Sequence, residues 1–103
     1  MSDPFATRRA LVAQFPDNEL ARFSLGKALY DAGAYDQARE HLAVALSKRP
    51  DWMVVQILLG KIELQNGQAA RARVAFEAAR RLALEQHHEG PLAELDLLLS
   101  ELP

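Results

Sequence analysis

Apolar residues recur with helical spacing along the whole chain, and no stretch alternates as a strand would. Turn signals at Phe15-Pro16-Asp17-Asn18, Gly33, Arg49-Pro50-Asp51, Asn66-Gly67 and Gly90-Pro91 cut the pattern into six helical segments. The first is expected to begin after Ser2 or Asp3 as its cap, with Pro4 in the first turn. It should stop before Pro16, because the residue preceding a proline is pushed out of the helical region. The pattern puts the second helix at about 18–32, the third at 35–48, the fourth at 51–65 and the fifth at 68–87. Asp17 and Asp51 stand where caps are wanted for the second and fourth. Gly90 and Pro91 open a sixth that runs to about 101.

The pattern also repeats at long range. Leu25-Gly26 and Leu59-Gly60 lie 34 residues apart, and Gly33 with Gly67, Ala38 with Ala72, Leu42 with Phe76 and Ala45 with Ala79 keep the same interval. Six pairs in phase, small and large positions in the same order, indicate a duplicated unit.

Within each unit the two helices differ. The second helix carries Ala21, Leu25, Ala28 and Leu29 on one side and Leu20, Phe23, Lys27 and Tyr30 on another. The fourth repeats this with Val55, Leu59 and Ile62 against Val54, Ile57 or Leu58, Lys61 and Leu64 or Gln65. A helix that is apolar on two sides is either sandwiched or offers one side as a binding surface. The third and fifth helices are simpler, with Ala38, Leu42, Ala45 and Leu46, and Ala72, Phe76 and Ala79, facing inward. Charges line the fifth helix's outer face, where Arg73, Glu77, Arg81 and Glu85 fall four residues apart. Leu92, Leu95, Leu98 or Leu99, and Leu102 give the sixth helix an apolar stripe, broadened by Leu97. Such a helix is not stable alone and must cover the end of the array or meet another chain.

These residues resemble the tetratricopeptide repeat, a helix-turn-helix unit of 34 residues with an aromatic, Leu-Gly and Tyr in sequence, then Ala, Phe and Pro. Leu25, Gly26, Ala38, Leu42, Ala45 and Pro50 match in a first unit, 19–52. Leu59, Gly60, Ala72, Phe76 and Ala79 match in a second, 53–86. The resemblance implies an all-α fold of antiparallel helix-turn-helix repeats in a right-handed solenoid. One domain, 1–103, would comprise a leading helix or half-repeat (1–18), repeats at 19–52 and 53–88, and a capping helix (89–103). Stacked units share a core only with their neighbours, so two units need the half-repeat and cap to reach stability.

Departures from the family pattern locate where the packing must change. Arg22 and Gln56 stand where a large apolar residue is common, and Leu29 and Glu63 where Tyr is common. Leu84 replaces the unit-ending proline, so the fifth helix should run on towards His87 or His88. A third Leu-Gly would fall at Ala93-Glu94, which ends the array. The first helix of each unit lines a concave groove in this family. The resemblance therefore implies a partner-binding surface of Leu20, Phe23, Lys27, Tyr30 and Asp31 from one unit and Val54, Ile57, Lys61, Leu64 and Gln65 from the next. Lys27 and Lys61, one period apart, would suit acidic groups of a protein or peptide partner. The family's Lys, Asn and Arg clamp for a terminal carboxylate is not reproduced, because lysine stands where Asn would be.

Composition narrows function without supplying chemistry. Half the residues are hydrophobic, a quarter are charged, and the net charge of -2 is spread along the chain, which gives no electrostatic footprint for nucleic acid. The absence of cysteine excludes disulfides, thiolate metal sites and thiol catalysis. The start of the chain has Asp3, Arg8 and Arg9 and no sustained apolar run, and no stretch approaches a membrane span, so a cytoplasmic protein without membrane contact is expected. His87-His88-Glu89 is the one cluster of ligand or acid-base types. Neighbouring histidines on a helix project about 100° apart and are poorly placed to share a metal. They are read as cations at a helix C-terminus, His41 as a surface or flank residue, and Trp52 as packing at the repeat junction. No phosphate loop, nucleophile elbow or paired carboxylate is present. The expectation is a non-catalytic adaptor without cofactor or metal that binds a protein segment. The alternative is a homodimer formed through the sixth helix or the groove.

Overall fold

Six helices account for most of the described residues: α1 (Ala6–Gln14), α2 (Glu19–Asp31), α3 (Tyr35–Lys48), α4 (Met53–Gln65), α5 (Ala69–Glu85) and α6 (Glu89–Glu101). The computed structural model describes residues 2–103, and no strand occurs among them. The helices group into two compact units, one ending at Pro50 and the other beginning at Asp51.

In the first unit, α2 and α3 form an antiparallel hairpin around Leu25, Leu29, Ala38, Leu42 and Ala45, all buried. Close approach occurs at Gly26, where an added Cβ would stand 2.8 Å from Cγ of Leu42. The second unit repeats the arrangement with α4 and α5 and adds α6 against α5. Phe76, Ala79 and Ala83 of α5 and Leu95 of α6 form one cluster. Leu92, Leu98, Leu99 and Leu102 pack on it from the same side. The stripe of the sixth helix is therefore spent within the unit, and α6 caps it. Arg80 Nε adds a 2.6 Å ion pair to Asp96 Oδ1 on α6.

Helix termini depart from the sequence expectations in instructive ways. The cap of α2 is Asn18, whose side chain accepts from the Ala21 N–H at 2.9 Å, and α4 starts after Trp52 with no side-chain cap. Asp17 and Asp51 each fall one residue too early, so neither caps. At the front, Asp3 Oδ1 accepts from the Phe5 N–H at 2.9 Å and holds a turn through Pro4, so the helix itself waits until Ala6. α6 begins at Glu89 after His88, placing Gly90 and Pro91 inside its first turn, where a proline's missing N–H costs nothing.

α2 and α4 end in the same way. Gly33 (φ 80°) and Gly67 (φ 72°) take the left-handed conformation, and the following N–H reaches back to Leu29 O at 2.9 Å or Glu63 O at 2.8 Å. α5 runs past the point equivalent to the end of α3, as the missing proline predicts, but stops at Glu85. His87 then adopts φ 56°, and the His88 N–H bonds Ala83 O at 2.9 Å, the same closing pattern without a glycine. The two histidines thus lie beyond the helix rather than on its last turn.

Arg22, at the family's apolar position, carries a different kind of contact. Its Nε donates to the Pro16 carbonyl at 2.7 Å and its Nη1 lies 3.0 Å from His41 Nδ1 on α3, so a guanidinium clamps what an aromatic ring would fill. His41 is accordingly a half-buried partner of that cation.

Candidate partner-binding faces

The site residues expected from sequence lie on α2 and α4, and each is described within its own unit. On α2, Leu20 leaves 59% of its surface exposed, while Phe23, Lys27 and Tyr30 are half-buried. Lys27 Nζ contacts both carboxylate oxygens of Asp31 at 2.8 and 2.7 Å, the i,i+4 geometry of one helix face. Tyr30 packs edge-on against Tyr35 with ring centroids 5.6 Å apart, bracing the face against the start of α3.

On α4, Val54 is 48% exposed at the position one period from Leu20. Ile57 is a core residue at 9% exposure, Leu64 packs partly on the core, and Gln65 is exposed. Lys61 Nζ reaches Glu94 Oε1 on α6 at 2.9 Å. Val54, Ile57, Leu58, Lys61, Pro91 and Glu94 together line an open cavity of about 230 Å³. Sequence reasoning left Leu58 as an alternative to Ile57 and passed over Pro91 and Glu94. The only available signal was that these two lie three apart on one face of α6, which says nothing about α4.

Both lysines of the repeated face therefore already hold a carboxylate, each by an exposed pair worth at most about 1 kcal/mol. Electrostatic steering by free ammonium groups is blunted, and apolar surface becomes the larger feature. A smaller cavity of about 160 Å³ lies among Leu84, His87, His88, Glu89 and Leu92. No group of three or more His, Asp or Glu side chains arranged to hold a metal occurs among the described residues. No helix among them is long and apolar enough to cross a membrane.

Comparison with known proteins agrees with this architecture. The tetratricopeptide repeat pattern matches residues 8–62. TPR repeat-containing protein PA0015 of Pseudomonas aeruginosa is 37% identical over 87 residues, 84% of this chain and 81% of that protein. The chain belongs to the tetratricopeptide repeat family. Protein BPP2914 of Bordetella parapertussis, whose solution structure is known, is similar with a TM-score of 0.81 and 33% identity over 97% of this chain and 87% of that one. PcrH, crystallised in complex with the chaperone binding region of PopD, gives a TM-score of 0.82 over 90% of this chain and 71% of that one. Its 23% identity speaks to the shared tetratricopeptide fold alone.

Proposed function

We propose that this tetratricopeptide repeat protein is a non-catalytic interaction module that binds a peptide or protein segment on the outward faces of α2 and α4. The observation that carries the reading is the pair Leu20 and Val54. One period apart, both remain exposed large apolar residues at the start of the first helix of each unit. Solvent-exposed apolar side chains cost the isolated protein nothing decisive but supply binding energy when a partner covers them. Phe23, Tyr30, Ile57 and Leu64 back these faces, and Asp31 and Gln65 close their ends. Membership of the tetratricopeptide repeat family, whose fold serves as an interaction platform, supports the same reading.

The partner contributes apolar side chains as anchors. Acidic groups in the partner add affinity only by displacing Asp31 from Lys27 or Glu94 from Lys61, a near-neutral exchange of one exposed ion pair for another.

Selection from a random peptide display library tests the proposal. Enriched peptides should share an apolar anchor and lose binding to Leu20→Glu or Val54→Glu. They should keep binding to Val74→Glu, a substitution at the 69% exposed outer position of α5. Failure to enrich any sequence, or equal binding to all three variants, would reject it.

Self-association is the second reading, favoured by Leu97, which stays 60% exposed on α6 while the rest of the leucine stripe packs on the α5 cluster. Sedimentation equilibrium over a wide concentration range separates the two, since a homodimer dissociates on dilution and Leu97→Glu would abolish it.

A further inference from the structure

The contact between Arg22 and His41 constrains the charge of the imidazole. A guanidinium has donors only and does not deprotonate, so with Arg22 Nη1 at 3.0 Å the Nδ1 of His41 must present its lone pair. The proton of the neutral ring then sits on Nε2. Burial, followed by the Arg22 charge, lowers the His41 pKa from 6.5, and Arg9 on α1 adds to the effect against Glu40 on its own helix. A protonated His41 would turn an N–H toward an N–H, among two arginines and one carboxylate.

The same arginines hold α1 in place. Arg22 Nε bonds the Pro16 carbonyl in the turn that follows α1, and Arg9 Nη2 bonds Gln37 Oε1 on α3 at 3.1 Å. Arg8 Nε adds a 3.3 Å bond to Ser24 Oγ on α2, while Val12 is the one buried residue of the helix. α1 is therefore docked mainly through exposed side-chain hydrogen bonds. The α2–α3 hairpin beneath it has a continuous apolar core through Leu25, Leu29 and Leu42.

From this geometry we infer that Arg22 and His41 form an acid-sensitive latch: protonation of His41 expels the Arg22 guanidinium, and the Pro16 turn and α1 loosen while the α2–α3 hairpin stays folded. The two Arg22 contacts share one rigid planar group, so tilting Nη1 away from the imidazolium also misaligns Nε with the Pro16 carbonyl. The sign follows from linkage. The loosened state, with the guanidinium moved off the imidazole, takes up the proton more readily than the docked state does, so docking is fully present above the ordinary histidine range. It is lost as pH falls towards the lowered value.

Amide hydrogen exchange read by NMR, with the imidazole C–H resonances followed in the same samples, tests the latch. Between about pH 7.5 and about pH 5 the protection of α1 amides, corrected for intrinsic exchange, should fall. The decline should reach up to about tenfold per pH unit below the unfolded histidine value, with α2 and α3 core amides unchanged. His41→Gln, neutral at every pH, should make the α1 profile flat. Arg22→Gln should move the His41 titration up towards its ordinary value and leave α1 weakly protected at all pH. The latch is wrong if His41 titrates in the native protein without any change in α1 protection. It is equally wrong if either variant reproduces the native pH profile.

Discussion

Gly60 and Phe76 meet so closely that a Cβ on the glycine would stand 2.6 Å from Cδ1 of the ring. The ring is fully buried and cannot swing aside. Gly60→Ala should therefore destabilise the protein. Overpacking costs about 1–3 kcal/mol, while better helix propensity returns about 1 kcal/mol. Thermal unfolding should show a lower midpoint, and Gly60→Ala combined with Phe76→Leu should recover part of the loss. A midpoint unchanged by Gly60→Ala alone would mean that the helices can part without cost.

His87 and Gly90 are expected to behave in the opposite sense. A non-glycine residue at φ 56° is strained by about 1–2 kcal/mol, so His87→Gly should stabilise the α5–α6 turn. At Gly90 an added Cβ meets nothing within 4 Å, and the residue lies in the first turn of α6, so Gly90→Ala should add about 0.4–1 kcal/mol. Chemical denaturation of the two single variants and their combination reads both. Destabilisation by His87→Gly would show that its side chain contributes more than its backbone costs.

Leu95 ties α6 to the second unit, being fully buried against the α5 cluster. Leu95→Ala should cost about 2–5 kcal/mol and release the capping helix, with circular dichroism losing helix signal before the main transition. Leu97→Ala, at an exposed position of the same helix, should leave stability within about 0.5 kcal/mol of the native protein.

Lys61 and Glu94 form the exposed bridge at the rim of the α4–α6 cavity. Replacing both by alanine should change unfolding free energy by no more than about 1 kcal/mol, with a double-mutant coupling in the same range that fades in high salt. On the proposed function it should also leave binding of apolar-anchored peptides intact. Loss of that binding would restore charge as the main recognition feature.

The duplicated unit could be read directly from sequence because close helix packing demands small residues at fixed points. Gly26 and Gly60 oppose Leu42 and Phe76, and Gly33 and Gly67 supply left-handed turns, so the same demand leaves the same letters 34 positions apart. The candidate faces were partly legible on the same ground. Leu20 and Val54 are exposed, whereas Ile57 turns inward because the fourth helix packs more of its circumference than the second. Lys27 and Lys61 could be placed in register from sequence. The partner of Lys61 could not, since Glu94 belongs to another helix, whereas Asp31 lies four residues from Lys27 on the same one.

By itself, then, the sequence determined the helical class, the repeat and the positions of its turns, all set by local periodicity and by glycines at close approaches and left-handed turns. The tertiary structure decided what the last helix does. The period would pair Leu95 with Lys61, yet Leu95 is buried and Lys61 faces Glu94. α5 runs on past the missing proline and closes through His87 instead of a proline break, so α6 starts out of phase with α2 and α4. How far a helix continues, and which side of the next one it turns inward, depends on contacts between distant residues.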